Sequence, residues 1–476
     1  MWRQYASLTL LLGMIHTPSY GAEHTHNVDN LPDLATFSVN NATEFALGRQ
    51  FLRQLRSSTV LREDMLLTSY LENLCYRLAF AAGVNQPNLQ VVLIPDHKIN
   101  AFAVAGGIIG VNDGLIVYAD HEAELASVLA HELAHISQHH YVRSVEGASD
   151  QALIYLAALL ASIALSSVDS EAGVALGVST QAALAQQQLS YSRIHEREAD
   201  RIGMQTLVSA GFSARAMSDF FSKMEKQTRQ VGFMPAFLLT HPLTQERIAD
   251  SSLRARSYTQ QGQIDSLDYQ LFRTRLFAQM GTDSQDIHNL QEKLTQQPQD
   301  SLIRYRLVLA YLHSQQTDLA EQNLRPLLKE SPNQVHYLIT QADIYLAAQK
   351  PELAWQFLQQ ALLVNNGSMV LRFYAAKAAQ RTQKTALAID LLEALSQERR
   401  EDPLIWRSLM ECYQQQKDAL GVLRARAEYT FLQGDGKRAL VDLAQAAEMA
   451  KTNYPVLAKI QQRQQAIQNI MIAEKK

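Results

Sequence analysis

Cysteine is nearly absent: the 476 residues hold only Cys75 and Cys412, 337 positions apart. Two cysteines cannot build a disulfide framework, so the fold must rest on a hydrophobic core, which a 47% apolar composition supplies. The two could pair in an oxidising compartment, but each sits in an apolar helical pattern, and two buried thiols is the better reading. A basic excess is also missing. With 43 Lys and Arg against 47 Asp and Glu, the net charge of −4 leaves nothing to neutralise a phosphate backbone, which excludes nucleic acid as the expected partner. A membrane-spanning run is missing too. The charge-free stretch 152–168 is 17 residues long and carries Ser162, Ser166 and Ser167, short of the roughly 20 apolar residues a span needs. It reads as part of a helical hairpin near a cleft, with peripheral contact to a membrane surface.

What the chain does have begins at its N-terminus. Arg3 precedes an apolar run from Ala6 to Ile15, and Ser19 and Gly21 occupy small-residue positions before Ala22. That order predicts a cleaved secretory signal over 1–21, and the lack of a cysteine near the cleavage point argues against lipid anchoring. Residues 22–262 and 267–476 then differ in texture and predict two domains. In the first, 43–82 is helical, and Val91-Val92-Leu93-Ile94-Pro95 is a strand ended by proline. Ala101 to Val117, with Gly106, Gly107, Gly110 and Gly114, reads as two short strands with tight turns. A long helix over 121–144 follows, apolar at Leu125, Val128, Leu129, Leu133 and Ile136.

The second part repeats. Pro298 and Pro332, Tyr311 and Tyr345, and Ala320, Ala354 and Ala388 recur at intervals of 34. Gly434 with Ala439, Leu443 and Ala446 fits the same template. This period resembles tetratricopeptide repeats, in which alanine at the crossing points lets paired helices pack closely. The expected fold is therefore mostly α with a small β-sheet: an α+β domain followed by an α-helical solenoid of tetratricopeptide repeats.

The chemistry is concentrated in His131-Glu132-Leu133-Ala134-His135. Two histidines at i and i+4 on one helix face can reach a single cation, and Glu132 beside them can take a proton from an attacking water. Zinc, one per chain, is the expected cofactor, and it needs a third protein ligand. A metzincin would have histidine at 141 and glycine at 138; Tyr141 and Gln138 exclude that class. His139 and His140 read as surface residues or as neighbours of the ligands. The better candidates are Glu196 and Asp200, which share a helix face. One can bind the metal while the other accepts the outward N–H of a ligand histidine. Pro242 disfavours helix at His241, placing this histidine on a turn before a helix capped by Thr244. There it would act as a fourth ligand that keeps the site latent or as an oxyanion donor. Asn100, Ala101, Phe102 and Ala103 read either as a substrate-binding edge strand or as a purely structural hairpin. In the first reading, the glycines at 106 and 107 would let backbone approach the cleft.

Asn100-Ala101-Phe102-Ala103 with Gly106-Gly107, His131 to His135, Ser192-Arg193 with Glu196 to Asp200, and Thr240-His241-Pro242 with Arg247 together resemble the HtpX and CAAX-processing metallopeptidase family. The resemblance implies Glu196 as third zinc ligand and Asp200 as its partner carboxylate or a proton donor. With a secretory signal and tetratricopeptide repeats, it further implies a Gram-negative periplasmic member. Such a protein would degrade misassembled outer-membrane proteins and contact the barrel-assembly machinery and the lipopolysaccharide-export barrel. A repeat-based chaperone or adaptor with mostly latent proteolysis is the competing expectation.

Overall fold

A computed structural model of the chain describes residues 41–84, 88–140, 160, 192–231, 235–259, 261–281 and 287–474. The expected signal over 1–21 and the hairpin over 152–168 lie outside the described residues, Leu160 apart.

The first helical region is two helices, α1 (Asn41–Ser58) and α2 (Met65–Ala81). Asp64 separates them because its side chain caps α2, accepting from the N–H groups of Leu66 and Leu67 at 2.9 and 3.1 Å. Three strands follow: β1 (Gln90–Ile94), β2 (Ala101–Val104) and β3 (Ile108–Asn112). Their order is β1-β3-β2, with β1 parallel and β2 antiparallel to β3. Alternation splits the side chains between two cores. Val92, Ile94, Phe102, Val104 and Ile108 pack against Phe51, Leu52 and Leu55 of α1. Val91, Leu93, Ala101, Ile109 and Val111 join the larger core beneath the opposite face. Phe102 pairs across the sheet with Gly110, and its ring fills the space where a side chain at 110 would stand.

The glycines of the β2–β3 turn pack against the scaffold, as the structural-hairpin alternative has it. Both have positive φ, and a Cβ on Gly106 would lie 2.6 Å from the Glu44 carbonyl oxygen of α1. Gly107 packs in the same way against the Asn88 backbone. They seat the hairpin on the scaffold.

After α3 (Asp113–Tyr118) comes α4 (Glu122–Ser137), shorter than the 121–144 read from periodicity. His139 adopts a left-handed conformation, φ 51°, and turns the chain out of the helix. Next come α5 (Arg193–Ser209), α6 (Arg215–Val231), the short α7 (Ala236–Thr240) and α8 (Gln245–Ser257). α5 lies close along α4 because Gly203 has no side chain; a Cβ there would stand 3.0 Å from the His131 backbone nitrogen.

The repeats follow the period. Helices begin at Ser301, Val335, Met369 and Pro403, and their partners at Thr317, Pro351, Thr385 and Ala419, each 34 residues apart. Ala320, Ala354 and Ala388 are fully buried at the crossings. The helix α9 (Leu267–Gln279) sends Tyr269, Phe272 and Leu276 into the core that also holds α2, α4 and α6. Conversely, Met65 and Leu66 of α2 enter a core built from the repeats. Arg399 holds Glu72 through two bonds of 2.5 and 2.6 Å, and Arg275 lies between Asp64 at 3.1 Å and Asp343 at 3.3 Å. Cys75 and Cys412 are both free and buried, and burial pushes the Cys412 thiol up to about 12.

Candidate active site and metal centre

α4 presents His131 and His135 one turn apart, with their Nε2 atoms 3.1 Å from each other. α5 brings Glu196 against both: its oxygens lie 3.5 Å from His131 Nε2 and 3.4 Å from His135 Nε2. The chain leaving α7 adds His241, whose Nδ1 is 3.0 Å from Glu196 Oε1 and 3.3 Å from His131 Nε2. Phe237 stacks on the His241 ring at 4.7 Å, and the His241 N–H donates to the Phe237 carbonyl, fixing this imidazole on its turn. The ligand atoms of His131, His135, Glu196 and His241 all lie within 4.8 Å of one another, and all four side chains are buried. Three imidazole nitrogens and a carboxylate oxygen, converging away from water, form a donor set that fits zinc or a similar divalent transition metal.

Asp200 and Arg247 hold this cluster from behind. Asp200 Oδ1 lies 3.1 Å from His131 Nδ1. Arg247 grips Asp200 in a fork of 2.7 and 2.8 Å, reaches Glu196 Oε2 at 2.8 Å and donates to the Pro242 carbonyl at 2.7 Å. One guanidinium thus ties α5 to the His241 turn, helped by the Thr244 cap, which accepts from the Arg247 N–H. The titration behaviour follows. Burial opposes ionisation of Asp200, but Arg247 and His131 outweigh it and hold the carboxyl below its usual range. Burial likewise opposes ionisation of Glu196, and the three histidines overcome it, holding this carboxyl well down. For Glu132 burial wins over His241 and His131, so its carboxyl is raised.

Glu132 Oε1 lies 3.3 Å from His241 Nε2, and the nearby backbone N–H of Ala103 favours its charged form. The sheet register explains that second contact. The Asn112 N–H donates to the Asn100 carbonyl, so 100, 102 and 104 bond toward β3 while Ala101 and Ala103 aim their backbone groups at the free edge of β2. The structure brings His131, Glu132, His135, Glu196, Asp200 and His241 together; Asn100 to Ala103 run along the edge of the sheet, with the Phe102 side chain in the core against α1. Sequence reasoning missed the clamp made by Arg247. It also left open the place of His140, which is fully buried beside His135 rather than on the surface.

A helix carrying His-Glu-x-x-His, with a glutamate supplied by a second helix, is the centre of a gluzincin-type metallopeptidase. The comparison with known families agrees: residues 66–255 match peptidase family M48. The chain belongs to that family, whose members are metal-dependent. It is 34% identical over 435 residues to the beta-barrel assembly-enhancing protease of Yersinia pestis, covering 89% of this chain and 88% of that protein. The protease of the same name from Escherichia coli K12 is 31% identical over 434 residues, with the same coverage. A mitochondrial metalloendopeptidase, OMA1 of Schizosaccharomyces pombe, is 30% identical over 182 residues, 38% of this chain and 51% of that protein. The matches to the two bacterial proteins extend through the repeats, whereas the OMA1 match is confined to about the length of the peptidase part.

Proposed function

We propose that the chain is a zinc endopeptidase of the Gram-negative periplasm that cleaves misassembled outer-membrane proteins, with its repeats docking it to the assembly machinery. The observation that carries the catalytic part is the convergence of His131, His135 and Glu196 with Glu132 alongside. The cellular part rests on the name shared by the bacterial relatives and on the expected signal.

In this reading His131, His135 and Glu196 hold the metal, and Asp200 and Arg247 keep His131 and Glu196 in place. Zinc, when bound, supplies Lewis acidity that acidifies the attacking water and polarises the scissile carbonyl. Glu132, with its basicity raised by burial, takes the proton of that water and returns it to the leaving amine. The Ala103 N–H orients the Glu132 carboxylate, and the outward N–H and carbonyl of Ala101 with the carbonyl of Ala103 hold the substrate as an added strand.

His241 gives this reading its regulated form. Its Nδ1 belongs to the ligand cluster, and its Nε2 stands by the base. An imidazole there excludes water and substrate, so the resting enzyme is latent until the turn at 241 moves. That favours a largely adaptor-like resting role over constant proteolysis, without abolishing the enzyme. A time course of an unfolded outer-membrane protein with wild type and Glu132→Gln tests the proposal. Slow cleavage by wild type and none by the variant is expected; equal cleavage by both removes the catalytic assignment.

A further inference from the structure

One buried side chain next to the centre takes no part in the chemistry above. His140 follows the left-handed turn at His139, which folds the chain back so that this imidazole meets His135 instead of continuing up the helix. It is fully buried. Its Nδ1 lies 2.9 Å from His135 Nδ1, its Nε2 lies 3.1 Å from Glu198 Oε2, and its ring stacks on His195 at 4.4 Å with 12° between the planes.

The proton positions in this chain of contacts follow from one requirement. His135 turns Nε2 toward Glu196 and His131, so as a ligand it offers the Nε2 lone pair and carries its proton on Nδ1. That N–H donates to His140 Nδ1. A neutral His140 then carries its own proton on Nε2, and this N–H donates to the Glu198 carboxylate. Each of these two contacts then has one donor and one acceptor. His131 shows the same logic in shorter form, with Asp200 directly behind its Nδ1. α5 thus supplies three carboxylates: Glu196 to the cluster, Asp200 behind one ligand histidine, and Glu198 behind the other through an imidazole.

We propose that His140 and Glu198 are positioning residues that fix the tautomer and ring orientation of His135 for metal binding. The proposal rests on the reading of His135 as a ligand. Outer hydrogen-bond partners of ligand histidines typically contribute 10- to 100-fold to metal affinity.

The test is zinc affinity of the purified full chain, measured by competition with a chromophoric chelator and accompanied by the visible spectrum of the cobalt-loaded protein. His140→Phe keeps a ring against His195 and removes both nitrogens. It should weaken zinc binding by roughly 10- to 100-fold and shift the cobalt bands. Glu198→Leu should weaken binding, whereas Glu198→Gln, which keeps an acceptor oxygen, should stay near wild type. The double variant His140→Phe/Glu198→Leu should bind no more weakly than His140→Phe alone, since the relay is already cut. Wild-type affinity in His140→Phe, or losses that add in the double variant, would overturn the proposal. If His140→Phe does not fold, the pair at the partly exposed Glu198 decides, and equal affinities for Leu and Gln count against the relay. A wild type that binds no zinc would instead bring down the ligand assignment, and the relay with it.

Discussion

Nδ1 of His241 stands 3.0 Å from Oε1 of Glu196, inside the group of atoms suited to hold the metal. Donors this close to the third ligand compete with water for the same open position. His241→Ala should therefore raise proteolysis and self-cleavage. If the imidazole instead assisted the oxyanion, the same change would lower turnover by roughly 10²-fold. A time-resolved gel of both proteins gives the sign, and an unchanged rate would count against either role.

His336 should make the repeats sensitive to acid. It is buried, and burial together with Arg275, opposed by Asp64, pushes its imidazole down to about 3 from the usual 6.5. A depressed folded-state value means the unfolded chain takes up the proton first as pH falls. Stability is then complete above about 6.5 and is lost progressively toward 3, at about 1.4 kcal/mol per unit of depression. Denaturant unfolding between pH 7 and 4 should show a shallower loss in His336→Gln than in wild type. Parallel curves would assign the acid sensitivity elsewhere.

The boundary between the two parts can be probed by truncation. We propose that α9 folds with the peptidase, since Tyr269, Phe272 and Leu276 are buried there. The Tyr269 hydroxyl donates to the Ala119 carbonyl at 2.6 Å. A chain ending at residue 281 should unfold cooperatively, whereas one ending at residue 266 should lose that transition or show it at a much lower temperature. Calorimetry of the two compares them directly, and equal transitions would return α9 to the repeats.

Much of the site was legible because its geometry is local. His131 and His135 sit one helical turn apart, as do Glu196 and Asp200, and a helix converts such spacing into a shared face without help from the rest of the fold. The repeat was equally legible, since a 34-residue step in alanine and tyrosine carries through to the helix starts. What escaped depends on backbone turns that the residue types do not announce. His139 takes a left-handed φ without being glycine, which ends α4 early and buries His140. Gln315, Gln349, Gln383 and Lys417 do the same at the equivalent turn of successive repeats, φ 58° to 63°, where glycine would have signalled it. α9 could not be placed from sequence for another reason: its apolar face looks like that of any repeat helix, and its side chains enter two cores, Tyr269, Phe272 and Leu276 that of the peptidase part and Leu271 that of the first repeats.

Metal content per chain tests the central assignment most directly. Wild type and Glu132→Gln, purified and dialysed against trace zinc, should each hold one zinc per chain (about 1.0 by elemental analysis), with Glu132→Gln inactive. His131→Ala, His135→Ala and Glu196→Ala should hold little or none. Full zinc occupancy in Glu196→Ala would contradict the account and move the third ligand elsewhere.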